Sequence, residues 1–263
     1  MSHPGNGSSS NILDTFRLDG RVAVVTGASE GIGRALSLGL AAAGADIVVC
    51  SRDKSKLDGL IAEIRALGRR AESYSIDLSH VDQIEGLRDF VRDEFGTLHI
   101  LINGAAYTVE AYAWDTTEPE WNKSIDTSLK GTFFACTILG ELMREAGYGK
   151  IINLSSTFAR STMPTRSVYA AIKAAISHLT ESLAVEWGSE GIRINSLAPT
   201  AVRTPSRKEF LAKFEDNVVS RVPLGRIAET DDLLAAAVYL ASPASDFVTG
   251  HTLFVDGGFV AKG

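Results

Sequence analysis

Short, uniformly apolar runs alternate along this chain with longer segments whose apolar residues recur every three or four positions. The runs read as strands and the longer segments as amphipathic helices. Strands are predicted at Arg21 to Thr26, Asp46 to Cys50, Ala71 to Ile76, Leu98 to Ile102, Lys150 to Leu154, Arg193 to Leu197 and His251 to Val255. Helices fall between them: Ile32 to Ala43, Lys54 to about Leu67, a stretch ending near Phe95, and a long helix over Glu118 to Ala146. A second long helix runs from Ser167 to about Trp187, and two shorter ones lie near Ser206 to Asn217 and Thr230 to Ala241. Strands that are apolar on both faces belong in a parallel sheet covered on both sides. With right-handed crossovers this predicts an α/β fold, a doubly wound parallel sheet of about seven strands with helices on both faces. No internal repeat or linker divides the pattern, so residues 18–263 read as a single domain behind a flexible N-terminal tail over residues 1–17.

Composition removes several classes of function. A formal net charge of -6 argues against a surface built for nucleic acid. No apolar run reaches the roughly 18 residues of a membrane span. Cys50 and Cys136 each lie inside an apolar run and read as core thiols of a reducing compartment, not as a disulfide or metal site. The Gly/Ser/Asn-rich first residues lack the apolar stretch of a signal peptide, so a cytoplasmic location is expected.

In a parallel sheet, ligands bind beyond the carboxyl ends of the strands. The first such end carries Thr26-Gly27-Ala28-Ser29-Glu30-Gly31-Ile32-Gly33. Its glycines leave room for a tight turn and for backbone to approach a pyrophosphate, at which the N–H groups of the next helix point. The spacing is G-x-x-x-G-x-G, not G-x-G-x-x-G, and glycines in a strand-to-helix turn also occur as plain turn chemistry. At the end of the second strand, Ser51 is small and Arg52 offers a planar fork suited to a 2′-phosphate, which favours NADP(H) while leaving NAD(H) open. Glu30 opposes that phosphate, Asp53 has the option of turning inward, and Arg52 as a plain solvated residue stays open.

Tyr169 and Lys173, four apart, share one face of the second long helix. A tyrosine ordinarily keeps its proton well above neutral pH, and a lysine ammonium beside it favours the phenolate. Ser156, at the end of the fifth strand, is placed to polarise a substrate carbonyl. Such a pair alone is often no more than a helix face; its coincidence with that serine and an upstream glycine turn points to hydride transfer between a nicotinamide cofactor and a small alcohol or carbonyl.

With these motifs in place, the chain resembles the short-chain dehydrogenase/reductases of the compact, single-domain, Rossmann-like type. The resemblance spans about Leu18 to Gly258. It rests on Thr26-Gly-x-x-x-Gly-x-Gly33, Asp77-Leu78, Ser156 with Tyr-x-x-x-Lys, Ile194-Asn195-x-x-x-Pro199, Thr249-Gly250 and Val255-Asp256-Gly257-Gly258. It implies that Tyr169 is the general acid/base, that Lys173 binds the nicotinamide ribose and tunes the tyrosine, and that Ser156 polarises the substrate. It implies cofactor contacts from Gly27, Ser29, Gly31, Ile32 and Gly33 in the turn, and from Ser51 and Arg52 after the second strand. It places Asp77 at the adenine with Leu78 beside it, adds Asn103, Ala105 and Pro199, and assigns carboxamide contacts to Val202 and Thr204. It further implies a homodimer or homotetramer built through the long helices, whose stripes Phe133, Phe134, Leu139 and Leu179, Leu183 are either core or interface.

Three departures from the family pattern stand out. Gly104-Ala105-Ala106 follows Asn103 where the family usually has Asn-Ala-Gly, which is expected to loosen the segment. Ser128 replaces an asparagine thought to kink the long helix and hold a relay water, so a modified relay through Ser128 is expected. Thr200 replaces a glycine after Pro199. Substrate contacts are expected from Tyr107 to Ala113, Phe158 to Pro164 and Arg203 to Phe214, the last being either a basic, mobile lid suited to an anionic or polyhydroxylated substrate or a plain solvated helical face. Segments such as Leu183 to Trp187 and Pro223 to Arg226 are similar to those of polyol and sugar-acid dehydrogenases and of oxoacyl reductases. The alternative is a dinucleotide-binding sensor or scaffold with little turnover.

Overall fold

The computed structural model describes residues 11–262. Seven parallel strands form one sheet in the order β3-β2-β1-β4-β5-β6-β7. They are β1 (Val22–Thr26), β2 (Asp46–Ser51), β3 (Ala71–Ser75), β4 (Ile100–Asn103), β5 (Gly149–Leu154), β6 (Ile192–Pro199) and β7 (Thr252–Val255). The order reverses between β1 and β4, which opens a crevice at the carboxyl ends of those strands.

Alternate side chains of the inner strands feed two cores. Ala23, Val25, Ile47, Val49, Ile100, Ile102 and Ile152 point one way, onto Leu36 and Leu40 of α1 (Gly31–Ala42), Leu60 and Ile64 of α2 (Asp58–Ala66), and Leu240 of α8 (Leu234–Ala241). Val24, Val48, Leu101, Ile151 and Ile194 point the other way, onto α3 (Val81–Phe95), α5 (Gly131–Ala146) and α6 (Ser167–Trp187). This two-sided burial is why the central strands β1, β2 and β4 carry no polar alternation, whereas the edge strand β3 carries Glu72, Ser73 and Ser75. Leu139 and Leu183 belong to the second core, Phe134 and Leu179 pack against it, and Phe133 remains 38% exposed. The helix stripes are therefore mostly core.

Two segments differ from the sequence reading. Of the tail expected over residues 1–17, Ile12–Phe16 is a short 3-10 helix whose first turn is capped by Asn11, while Met1 to Ser10 lie outside the described residues. The long helix over Glu118 to Ala146 is present but not continuous. α4 (Glu118–Ile125) opens on a capping box of Thr117 and Glu120, then passes through a π turn over Asp126–Lys130 before α5 begins. Gly131 N–H donates to the Asp126 carbonyl, one residue further back than in an α-helix.

Leu40 is fully buried between α1 and the sheet. Leu40→Ala should lower the free energy of unfolding by about 2–5 kcal/mol, the usual cost of a cavity in a packed core, as read by urea denaturation.

Candidate active site

The β1–α1 turn is built by backbone pressed on backbone. An added Cβ at Gly33 would meet Gly27 O at 2.3 Å, and one at Gly27, where φ is +71°, would meet Ala105 N at 2.7 Å. No larger residue fits either position, which leaves bare backbone and the first N–H groups of α1 facing the crevice. That cradle fits a pyrophosphate. Beyond it runs a cavity of about 790 Å³ at the carboxyl ends of the strands.

Ser29, Gly31 and Ile32 line the cavity with these glycines, as do Ser51, Arg52, Asp77, Leu78 and Ala105. Pro199, Val202 and Thr204 line it as well, and so do Ser156, Tyr169 and Lys173. Arg52 is exposed and makes no salt bridge among the described residues, so its guanidinium is free for a phosphate. Asp53 does not turn inward: its Oδ1 accepts from Ser55 N and Oγ and caps the following turn. Glu30 does line the cavity, beside the cradle. Burial pushes the Asp77 carboxyl up, but the N–H and hydroxyl of Ser79 more than offset this and hold it below the usual range.

Ser156 follows β5 by two residues and caps a short 3-10 turn, and Tyr169 projects from the first turn of α6. Ser156 Oγ accepts from Phe158 N at 3.2 Å, which fixes its position. The Phe158 ring stands edge-on to Tyr169 with centroids 5.8 Å apart. Burial pushes the Tyr169 phenol up, while the Ser156 hydroxyl, Arg207 and Arg166 pull it down. Lys173 is 6% exposed, and its Nζ lies 5.7 Å from the Tyr169 ring centroid and donates to Leu154 O at 2.5 Å. Burial brings its ammonium down to about 8.

Two residues expected at the site are spent elsewhere. Asn103 does not line the cavity; its Nδ2 donates to Asn153 Oδ1 at 2.9 Å within a buried polar cluster behind the sheet end. Ser128 does not line it either. Its hydroxyl donates to the Tyr107 carbonyl at 2.7 Å and accepts the Tyr107 N–H at 2.9 Å, and its own carbonyl takes the Thr132 hydroxyl. The residue expected to carry a relay therefore clamps a loop. Nor is the segment at Gly104 loosened: its N–H donates to Thr26 Oγ1 at 3.0 Å, and a Cβ there would meet Thr26 O at 2.7 Å. Thr200, bulkier than the glycine the family usually has there, lines the cavity.

The lid is α7 (Lys208–Val219) with the turn ahead of it. Of its basic residues, Arg203 is paired with Glu215 and Glu229 and lies off the cavity, Lys208 is exposed, and only Arg207 lines the cavity. The sequence reading missed Arg166 altogether and did not single out Glu110. Arg166 precedes α6, is 4% exposed and pairs with Glu110. A cation at the positive end of a helix dipole needs a partner, and that was the signal available. Thr165 just before it has a φ of 69°, a left-handed conformation that costs a β-branched residue about 1–3 kcal/mol and clusters at functional sites.

A sequence model of the family described as Enoyl-(Acyl carrier protein) reductase matches residues 27–260. Gluconate 5-dehydrogenase of Gluconobacter oxydans is 36% identical over 265 residues, covering 100% of both chains. The chain belongs to the short-chain dehydrogenase/reductase family. D-threitol dehydrogenase of Mycolicibacterium smegmatis is 34% identical over 248 residues, covering 94% of this chain and 95% of its own length. The crystal structure of a gluconate 5-dehydrogenase from Burkholderia cenocepacia, in complex with NADP and tartrate, superposes with a TM-score of 0.92 at 37% identity, covering 95% of this chain and 99% of that one. This short-chain dehydrogenase/reductase is an NAD(P)-dependent oxidoreductase acting on CH–OH groups. Among its described residues no helix is long and apolar enough to cross a membrane.

Burial of Lys173 has a pH signature. Its ordinary value is 10.5 and the folded value about 8, so between these the unfolded chain binds more protons than the folded one. Lys173 thus weakens the fold most below pH 8, and the penalty fades as the pH rises toward 10.5. Denaturation of the parent and Lys173→Met across this range should show the difference between them moving in favour of the parent. A difference independent of pH would mean that the ammonium is not held in a poorly solvating site.

Proposed function

We propose that the protein is an NADP(H)-preferring reductase or dehydrogenase that interconverts a small alcohol and its carbonyl, on a polyol, sugar-acid or oxoacyl type of substrate. The observation that carries this reading is the meeting of Ser156, Tyr169 and Lys173 at one end of a cavity whose other end is a backbone cradle with a free arginine. When bound, the nicotinamide supplies or accepts the hydride. In the reducing direction Tyr169 donates its proton to the substrate oxygen, and the Ser156 hydroxyl donates a hydrogen bond to that oxygen as it gains negative charge. Lys173 keeps one N–H on Leu154 O, and its remaining N–H groups are free to hold ribose hydroxyls, with its charge favouring the phenolate left on Tyr169. Phe158, Met163 and Phe210 exclude water from the reacting end. Arg52 would pair with a 2′-phosphate, Asp77 would meet the adenine, and Val202 and Thr204 would hold the carboxamide. The buried free thiols Cys50 and Cys136 support a reducing, cytoplasmic setting. Exposed Phe133 on α5 and Val185 on α6 support self-association through those helices into a dimer or tetramer.

A second reading, cofactor binding with little turnover, is favoured by one observation: the Ser128 hydroxyl is committed to Tyr107.

Replacing Tyr169 with Phe should lower NADPH-dependent turnover by about 10²–10⁴-fold on any accepted carbonyl while leaving NADPH affinity unchanged. Turnover close to the parent's would remove Tyr169 from the chemistry, and no turnover by the parent on any carbonyl would favour the second reading. The double change Ser51→Asp with Arg52→Leu should shift the ratio of kcat/KM for NADPH over NADH toward NADH by about tenfold or more. An unmoved ratio would show that the ribose phosphate is held by other residues.

A further inference from the structure

Glu110, Arg166 and Arg207 form an ion cluster in the cavity wall that the proton and hydride transfers leave unused. One carboxylate oxygen, Glu110 Oε1, serves both arginines: Arg166 Nη1 contacts it, and Arg207 Nη1 donates to it at 3.1 Å. Arg166 is 4% exposed, so its charge is held away from solvent with only a share of one anion. Its buried Nη1 finds no well-aligned acceptor there. Two guanidiniums on a single carboxylate leave the cluster cationic. The Phe210 ring lies beside both, with centroid distances of 5.9 Å to Arg166 and 5.7 Å to Arg207, which limits hydration. Both arginines also act on the Tyr169 phenol, which puts the cluster close to the reacting end.

We infer that Arg166 and Arg207 anchor a carboxylate of the substrate, so that the cavity takes a small polyhydroxylated acid anion in preference to the neutral polyol of the same skeleton. This rests on reading the cavity as the hydride-transfer site. Planar guanidiniums match a carboxylate in two-pronged geometry, and the cluster carries the excess positive charge that an incoming anion neutralises. Glu110 holds the two forks together and tempers their charge. Arg166 comes from the start of α6 and Arg207 from the turn ahead of α7, so a bound anion joins the helix that bears Tyr169 to the lid.

Calorimetric titration of the NADPH-saturated protein with tartrate and with threitol, neither of which can accept a hydride, tests the assignment, because the two share a carbon skeleton and differ in carboxylate against hydroxymethyl ends. Tartrate should bind about tenfold tighter or more, and Arg207→Gln should remove that advantage while leaving threitol unchanged. Glu110→Gln should act in the opposite direction and tighten tartrate, since it raises the positive charge of the cluster. A purely structural clamp predicts weakening by both substitutions. Equal affinities for the two ligands, an Arg207→Gln variant that binds tartrate as the parent does, or weakening by both substitutions would overturn the inference. The titration reads binding alone, so a failure of hydride transfer would show separately, as absent NADPH oxidation across carbonyls.

Discussion

The site depends on an unusually close contact between two loops at the carboxyl ends of β1 and β4. Gly27 lies against the Ala105 backbone, Gly33 against the Gly27 carbonyl, and Gly104 against the Thr26 carbonyl. The Thr26 hydroxyl stitches the contact by accepting from the N–H groups of Gly104 and Ala105 and donating to Ile102 O. Because main chain meets main chain, the cradle faces the crevice with backbone donors and no intervening side chain. The same contact fixes where the cavity begins, and therefore how far along it Ser156, Tyr169 and Lys173 lie. Gly104, which departs from the family pattern, is thus part of the fit; a Cβ there would have to push β1 and β4 apart.

Much of this was legible in the residues because the forces concerned are local or periodic. Strands buried on both faces read as apolar runs, and all seven strands were read to within about two residues, the more polar edge strand β3 included; Ser167 to Trp187 was read to the residue, since its apolar positions follow the helical repeat. The roles of Ser128 and Asn103 were not legible, because a hydroxyl or an amide bonds whatever the tertiary fold brings near it. Ser128 met the main chain of Tyr107, and Asn103 met Asn153, each far away in sequence. Arg166 went unread for the same reason: its partner Glu110 comes from a loop with no sequence signature. Of the basic residues expected in the lid, Arg203 found acidic partners in Glu215 and Glu229, and Arg207 is the one that lines the cavity.

Behind Ser156, Tyr169 and Lys173, a chain of side-chain hydrogen bonds stiffens the site, although Asn103 Oδ1 stays without a partner. Asn153 links Asn103 to Thr180, Thr180 meets Ser196, and Ser155 joins the Lys173 carbonyl to Ser177. Hydrogen bonds thus tie β4, β5 and β6 to the helix that carries Tyr169 and Lys173, where an apolar core would have allowed sliding. In front of the same residues the cover is a single helix, α7, with one fully buried side chain, Leu211, and its ion pairs at the surface. Rigid backing and a lightly held cover suit a site that must keep its donors aligned while small molecules enter and leave.

The π turn between α4 and α5 has a consequence for how this chain tolerates changes in length. One residue more than an α-helical turn advances the screw by about 100°, so the two helices follow different angular phases. A face that points inward on α4 does not continue inward on α5, and a helical wheel drawn through the junction misassigns the residues on one side. Removing one residue from Asp126–Lys130 would restore a regular helix, but Leu139 and Met143 would then leave the core by about a quarter-turn. The junction therefore works as a fixed angular offset, and its register is set as firmly as that of any strand in the sheet.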